Sequence, residues 1–357
     1  MPFTRRSVLK GLAAGALAVP GLSRRLLGAT AMKSPPESPA LVVIHLNGGP
    51  SGFFNSAGSF LAKGDFGVTH DNIRALAGGL VVDAASFGSL PDAALAHMAA
   101  INFQHGMYKH DLARAALYQA GDRSHLLLLA QAFQNPAPIR CAVVNSLGLP
   151  VGVDANPPAE DGARLERVLD LRTIGVYDAP SGSAPGLGLA QLAPIYGVAP
   201  NAGTIADTRT SFLASELLVR AGSNVIFTQP LYAGRPDRQL DTHRDPSGAQ
   251  AREIMATIMA PLRTFVGRAL AMANRNVVIV LVGEFSRTIV ESDHEPGGTA
   301  TVIGKYVKTG TAGPQTPDGA PPKGSPAPAG LWSYVASALK LADPPFGANP
   351  NPELILS

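Results

Sequence analysis

Side chains that bind cations or move protons are concentrated in a few short segments, each of which follows a run of apolar residues. They are His105, His110, Asp111, Asp241, His243, Glu284, Arg287, Asp293 and His294. Imidazole and carboxylate groups hold divalent metals and exchange protons near neutral pH, while a guanidinium group binds oxyanions. These residue types favour a divalent metal beside an anionic substrate. The alternative interpretation is solvated loop histidines, a helix N-cap and surface ion pairs.

A further polar segment follows the first apolar run of the chain, residues 40–46. It reads Asn47-Gly48-Gly49-Pro50-Ser51. Glycine lets the backbone approach a ligand closely, and Asn47 and Ser51 offer neutral polar atoms. A tight strand-to-helix turn is the alternative interpretation of this segment.

The elements that must position these side chains are short apolar, mostly β-branched runs, which are typical of strands buried on both faces. They cover residues 40–46, 80–83, 98–103, 141–144, 224–228 and 276–282. Apolar residues at steps of three or four predict a helix over 249–274, with Pro261 as a kink. Alternating strands and helices predict an α/β fold, a doubly wound and mostly parallel sheet with helices on both faces. Ligands of such sheets bind beyond the carboxyl ends of the strands, where the polar segments lie.

The residue composition near the C-terminus differs from that of the strand and helix region. Residues 309–330 are crowded with Pro, Gly and small residues, which predicts a surface loop or tether. Residues 331–341 predict a last short helix, which a Pro-rich tail follows.

Composition excludes several classes of protein. Hydrophobic residues make up 46% of the chain and charged residues 15%, which argues against disorder and against a coiled coil. A single cysteine, Cys141, excludes an intrachain disulfide framework and any multi-cysteine zinc or iron–sulfur site. No G-x-G-x-x-G follows the first strand, no Walker A sequence occurs, and Ser51 lacks the G-x-S-x-G context, so we expect no nucleotide cofactor.

The N-terminus has the pattern of an export signal. Arg5 and Arg6 precede an Ala/Gly-rich apolar stretch that ends before Arg24, a pattern that resembles the bacterial twin-arginine signal. We expect cleavage after Ala31, so that residues 1–31 are the signal and residues 32–357 form one domain. An uncleaved anchor or an ordinary secretory signal is the alternative. The expected location is the periplasm or cell envelope of a Gram-negative bacterium, with the twin-arginine translocase as the partner in export.

Removal of that segment changes the charge of the protein. Its five basic residues and no acid take the formal net charge from +3 to −2. The mature chain therefore has no basic excess of the kind that attracts nucleic acid, and we expect no nucleic-acid partner.

The ordered set of motifs resembles a known family. The twin-arginine start, the strand that ends in Gly-Gly-Pro-Ser, Asp241-Thr242-His243, the stretch from Glu284 to Thr288, and Asp293-His294 occur in this order. Together they resemble the exported bacterial domain-of-unknown-function family fifteen-oh-one, which is grouped with the alkaline phosphatase/sulfatase superfamily. The resemblance spans most of the mature chain.

The resemblance implies a doubly wound α/β sandwich with a divalent metal site, for zinc, calcium, magnesium or manganese, at the strand ends. By resemblance, the candidate metal ligands are Asn47, Asp241, His243, Glu284, Asp293 and His294, and the candidate catalytic groups are His110, Asp111 and Arg287. Arg287 or His110 would contact the oxyanion.

Two departures from the superfamily pattern bear on activity. Asn47 is neutral where the superfamily usually has an acid. The stretch that matches the nucleophile helix, residues 110–121, contains no Ser or Thr, and Asp111 lies near that place. A carboxylate nucleophile and a lost activity both remain open.

Two functions follow from this pattern. The first is an exported metal-dependent hydrolase of phosphate or sulfate esters. The second is a non-catalytic envelope or assembly protein that keeps the fold and binds a partner or glycan. A redox enzyme ranks third, because one cysteine and no dinucleotide motif leave little to build it from.

Overall fold

The computed structural model describes residues 37–121, 123–133, 139–144, 165–174, 188–230, 239–289 and 291–357. Residues from Glu37 to Ser357 cluster as one compact unit. The expected signal segment, residues 1–31, and its cleavage site lie outside the described residues. No described helix combines the length and the apolar character that crossing a membrane requires.

The strands of the described residues form one large sheet and three small ribbons. They are β1 (Ser38–His45), β2 (Ile73–Ala75), β3 (Val81–Asp83), β4 (Met98–Gln104), β5 (Gln119–Ala120), β6 (Arg123–Ser124), β7 (Cys141–Val144), β8 (Leu165–Val168), β9 (Val225–Thr228), β10 (Arg275–Val282), β11 (Ser286–Arg287), β12 (His294–Glu295), β13 (Gly297–Gly304) and β14 (Gly310–Thr311). The large sheet has eight strands in the order β14-β4-β13-β10-β1-β9-β7-β8. The ribbons are β2 with β3, β5 with β6, and β11 with β12.

The large sheet is mostly parallel, as the sequence predicts. β1 runs parallel to β10 on one side, from Ser38 opposite Arg275 to His45 opposite Val282, and parallel to β9 on the other. β7 and β8 continue the parallel order, whereas β13 is antiparallel to both of its neighbours, β10 and β4. The carboxyl ends of β1, β4, β9 and β10 therefore meet at one edge, together with the beginning of β13.

Helices cover both faces of the sheet. They are α1 (Phe53–Ser56), α2 (Asp92–Leu95), α3 (His110–Tyr118), α4 (His125–Ala132), α5 (Leu189–Leu192), α6 (Thr208–Arg220), α7 (Ala249–Leu270) and α8 (Pro328–Ala338). Alternate residues of β1 point to opposite faces, as a strand geometry requires. Val42 and Ile44 belong to a core with α6 and α7, while Leu41 and Val43 belong to a core with α3, α4 and α8. Two apolar cores on one sheet confirm the doubly wound α/β prediction.

Some elements differ from the sequence-based expectation. The apolar run 80–83 is a strand, but it pairs with β2 outside the large sheet. The long helix contains Pro261 as expected but ends at Leu270 rather than at residue 274. The last helix begins at Pro328 rather than at residue 331. Strand β13 was not predicted, because its sequence GGTATVIG begins with small and polar residues rather than an apolar run.

The Pro/Gly-rich segment 309–330 packs against the fold rather than hanging free as a tether. Its first residues form β14, which pairs with β4. The buried Gln315 side chain donates hydrogen bonds to the hydroxyls of Ser286 and Thr299, at 2.7 and 3.0 Å. These contacts attach the segment to the edge of the sheet that carries the polar residues.

Candidate metal centre

The polar segments singled out in the sequence converge at the carboxyl edge of the sheet. Glu284 follows β10, and His110 opens α3 after β4. Asp241 lies in the connection between β9 and α7. His294 precedes β13, and it reaches the same edge because β13 runs against its neighbours.

Asp241 is the hub of the cluster. Its Oδ1 lies 3.1 Å from His243 Nε2 and 3.4 Å from His294 Nε2, and its Oδ2 lies 3.4 Å from His110 Nε2. Burial opposes ionisation of this carboxyl, but hydrogen bonds from His110, His294 and Arg287 outweigh it and hold the pKa of Asp241 well below its usual range. Asp241 is therefore an ionised carboxylate surrounded by three imidazoles.

His110 bridges two carboxylates. Its Nδ1 donates to Glu284 Oε1 at 2.7 Å, while its Nε2 faces Asp241. Hydrogen bonds to Asp241 and Glu284 outweigh partial burial and raise the pKa of His110 to about 9. Without a metal the imidazole is therefore protonated at neutral pH, and a metal at Nε2 must displace that proton.

Two contacts orient His294, a hydrogen bond from its Nδ1 and a stacking contact on its ring. The Nδ1 donates to the Tyr108 carbonyl at 2.9 Å, which leaves Nε2 directed towards Asp241. Phe285 stacks on the imidazole at a centroid distance of 4.1 Å and an interplanar angle of 4°. The rings of His110 and His294 are 4.5 Å apart in a T-shaped arrangement. The two histidine regions of the sequence thus meet in space.

Two groups among the described residues have metal-ligating geometry. One is His110, Asp241 and His294, and the other is His243, Asp293 and His294, with ligand atoms within 4.8 Å of one another in each. His294 has only Nε2 to offer, since its Nδ1 is engaged by Tyr108. The two groups are therefore alternatives. The first is the more enclosed, because Asp293 and His243 are 64% and 47% exposed.

The first group fits a divalent ion. In both histidines Nδ1 donates to an oxygen and Nε2 faces the ionised Asp241, which is the arrangement that orients metal-binding imidazoles in proteins. Two imidazoles and one carboxylate are the donor set of catalytic zinc sites, which keep a fourth position for water or substrate. Two of the three donors are nitrogens, unlike the all-oxygen sites that calcium and magnesium prefer.

Glu284 lies behind His110 and is fully buried. Its carboxylate accepts from the Gly48 N–H at 3.3 Å and from His110, and Arg114 Nε lies 3.8 Å away. Burial favours the neutral acid, but the hydrogen bond from His110 and the charge of Arg114 outweigh it and lower the pKa of Glu284 to about 2. In this geometry Glu284 orients His110 rather than reaching the ligand atoms of Asp241 and His294.

Arg287 has the contacts of a clamp. It is fully buried and binds Asp241 together with the carbonyls of Gly48, Gly49 and Ser292. Its guanidinium therefore holds Asp241 and the turn after β1 in place. The expected contact with an oxyanion would require these partners to give way.

The remaining candidates lie at the margin of the cluster or outside it. Asn47 is buried, and its Oδ1 accepts from Arg114 at 3.4 Å. Asp111 is exposed on the first turn of α3 and, among the described residues, makes no hydrogen bond or ion pair with the cluster. His105 donates from Nε2 to the Glu284 carbonyl at 2.7 Å and accepts at Nδ1 from the Met107 N–H, so both of its nitrogens serve the backbone.

Sequence reasoning missed His45. It ends β1, is fully buried, and lies between Glu284 and the Tyr118 hydroxyl. Burial lowers the pKa of His45 to about 4, so the ring is neutral at physiological pH. A histidine that ends an otherwise apolar run is the signal that was available, because a buried imidazole needs polar partners at the strand end.

Several solved structures are similar to this chain at low sequence identity. A protein of the alkaline phosphatase superfamily from Vibrio parahaemolyticus is 11% identical with a TM-score of 0.43, over 89% of this chain and 70% of that chain. The soluble domain of lipooligosaccharide phosphoethanolamine transferase A from Neisseria meningitidis is 8% identical with a TM-score of 0.43, over 87% of this chain and 90% of that chain. A sulfatase from Pseudoalteromonas sp. is 11% identical with a TM-score of 0.34, over 86% of this chain and 68% of that chain.

No family model and no curated protein sequence matches the chain. The resemblance to the family fifteen-oh-one therefore stays a prediction. The similar structures are a member of the alkaline phosphatase superfamily, a phosphoethanolamine transferase and a sulfatase.

Proposed function

We propose that this chain is an exported, zinc-dependent hydrolase of phosphate or sulfate esters. The observation that carries the proposal is the group His110, Asp241 and His294, whose ligand atoms face one another while the other nitrogen of each histidine donates to an oxygen. Buried or half-buried partners fix each member, so the group is preorganised to hold an ion.

The position of each residue in the site indicates its role. His110, Asp241 and His294 would hold the ion, which when bound polarises an ester oxygen and lowers the pKa of a water molecule. Glu284 orients His110, and Arg287 orients Asp241. His243 lies beside Asp241 and is 47% exposed, with Nδ1 4.0 Å from Asp293. It is therefore placed to move a proton to or from a substrate at the open side of the group.

A decisive experiment is elemental analysis of the mature protein, purified without chelator or a polyhistidine tag. We expect one equivalent of a divalent metal and its loss in the double variant Asp241→Ala/His294→Ala. We expect the wild type, but not the double variant, to hydrolyse 4-nitrophenyl phosphate or 4-nitrophenyl sulfate. The matched control is Asp83→Asn, which alters a buried carboxylate that pairs with Arg252 away from the cluster. The proposal would be refuted if the wild type held no metal and the double variant had the same thermal stability as the wild type.

A non-catalytic binding protein is the second candidate. It is favoured by the absence of Ser and Thr from residues 110–121 and by the exposure of Asp111. In that case the metal would bind stoichiometrically, but neither ester would be hydrolysed. The same experiment therefore separates the two functions.

Export is the part of the proposal that depends on residues 1–31. We propose that the twin-arginine translocase carries the protein to the periplasm or cell envelope. Replacement of Arg5 and Arg6 by lysine should leave the full-length protein in the cytoplasmic fraction. Unchanged export of that variant would contradict the twin-arginine route.

A further inference from the structure

A chain of polar contacts leads from the buried core beneath α3 to the metal-binding group. The Tyr118 hydroxyl lies 2.8 Å from His45 Nδ1, and His45 Nε2 lies 3.4 Å from Glu284 Oε2. Glu284 Oε1 in turn accepts from His110 Nδ1 at 2.7 Å. Tyr118, His45 and Glu284 are fully buried, so water does not compete for these contacts.

The contacts fix one direction for the hydrogen bonds. An ionised carboxylate only accepts, so the charge on Glu284 favours a proton on the facing nitrogen, His45 Nε2. The 3.4 Å separation is longer than an ordinary hydrogen bond. The Asn47 side chain also interacts with the His45 ring. A neutral imidazole protonated at Nε2 has its lone pair on Nδ1, which accepts from the Tyr118 hydroxyl.

The end of these contacts that is farthest from the metal-binding group, Tyr118 and His45, is tightly packed. Tyr118 ends the helix that His110 begins, and its ring packs against Trp332 and Phe227 at centroid distances of 5.9 and 5.6 Å. Trp332 Nε1 donates to the Leu117 carbonyl at 2.7 Å, which anchors the last turn of the helix. His45 also stacks on Phe227 at 5.8 Å. Neither Tyr118 nor His45 is free to turn away from its partner.

We propose that Tyr118 and His45 are positioning residues, which fix the Glu284 carboxylate and through it the orientation of His110, and so set the metal affinity of the site. Neither residue reaches the metal-binding group itself. The inference rests on the proposed function for the metal, but the state of the His45 ring is open to measurement in the metal-free protein.

The test compares variants of the full protein by zinc affinity, measured in competition with a chromophoric chelator. Loss of a residue that supports a metal-binding histidine, here Glu284, costs about 10–100-fold in affinity. We expect Tyr118→Phe, two steps further out, to cost about tenfold. The matched control is Tyr334→Phe, which loses a buried hydroxyl that donates to the Leu354 carbonyl at 3.0 Å in the same core. We expect this control to lower stability but to leave zinc affinity unchanged.

A conservative rescue separates positioning from packing. His45→Gln keeps an N–H donor for Glu284 and should retain more zinc affinity than His45→Leu. Equal zinc affinity of the wild type and Tyr118→Phe would overturn the inference while leaving the metal site intact. So would equal affinity of the two His45 variants.

Nitrogen NMR of the histidine rings gives a readout that needs no metal. In the metal-free wild type we expect His45 to be neutral with its proton on Nε2, and we expect Tyr118→Phe to shift its Nδ1 signal. A proton on Nδ1 in the wild type would overturn the inference. Wild-type protein that shows the expected tautomer but binds no zinc would refute the metal-dependent function and leave the hydrogen-bond chain standing.

Discussion

The proton on His110 makes metal binding depend on pH in a direction that the structure specifies. Because the pKa of His110 is raised to about 9, each metal ion that binds at Nε2 must displace a proton across the neutral range. Apparent affinity should then rise about tenfold per pH unit, or about 100-fold between pH 6.5 and 8.5, equivalent to about 2.7 kcal/mol.

Stability of the metal-free protein should change in the opposite direction. A proton held more tightly in the folded state stabilises it fully below pH 6.5, and this contribution is lost as pH rises through the folded pKa. For His110, with a pKa raised from 6.5 to about 9, the loss over that window amounts to about 3 kcal/mol. Metal addition should therefore stabilise the protein more at pH 8.5 than at pH 6.5.

Calorimetric titration at pH 7.5 in two buffers of different ionisation enthalpy counts the protons released per metal ion. We expect at least one proton in the wild type. His70→Asn, which removes an exposed histidine outside the cluster, serves as the control and should release the same number. Metal binding with no proton release would refute the assignment of His110 as a ligand.

Four further substitutions test other parts of the structure. Glu284→Gln removes the charge that orients His110 and should weaken zinc binding by about 10–100-fold in chelator competition; unchanged affinity would exclude that role. Gly48→Ala places a Cβ 2.3 Å from a backbone nitrogen at φ +98° and should cost more than about 2 kcal/mol in urea unfolding. Gly79→Ala, at φ +74° with open space around it, should cost about 1 kcal/mol. Burial lowers the pKa of His125 to about 4, so between pH 6.5 and 4 the protein should lose about 3 kcal/mol that His125→Leu does not lose; equal pH slopes would contradict this.

Most of the parallel part of the sheet could be predicted because β1, β7, β9 and β10 are almost uninterrupted apolar runs. β8, with the sequence LERV, is not such a run and was not predicted. The run 141–144 coincides with β7, and the run 276–282 misses only the first residue of β10. β13 was not predicted because its small residues reflect close packing against β4 rather than a local apolar pattern. A Cβ on Gly297 would lie 2.4 Å from the Phe103 carbonyl oxygen, and one on Gly298 would lie 3.0 Å from the Phe103 ring. The glycines permit close pairing with β4, which no local pattern reveals.

The site was predictable in its residue types but not in its contacts. The sequence singled out Asp241 and His294 as candidate metal ligands and His110 as a candidate catalytic group, because their chemistry can be read from single residues. That His110 faces Asp241 beside His294 could be seen only in the structure. The clamp made by Arg287 depends on carbonyl groups from the turn after β1 and from the segment before β12. Contacts with backbone carbonyls cannot be inferred from residue types. The sequence therefore does not distinguish a buried arginine from one that binds an oxyanion.

The reversed strand explains how a residue that precedes a strand reaches the site. The rule for parallel sheets directs attention to residues that follow strands, and Glu284 and His110 obey it. His294 lies just before β13, and in a parallel strand it would lie at the opposite edge of the sheet. Because β13 is antiparallel to β10 and β4, its beginning meets their carboxyl ends. The antiparallel direction of β13 therefore brings His294 to within 3.4 Å of Asp241.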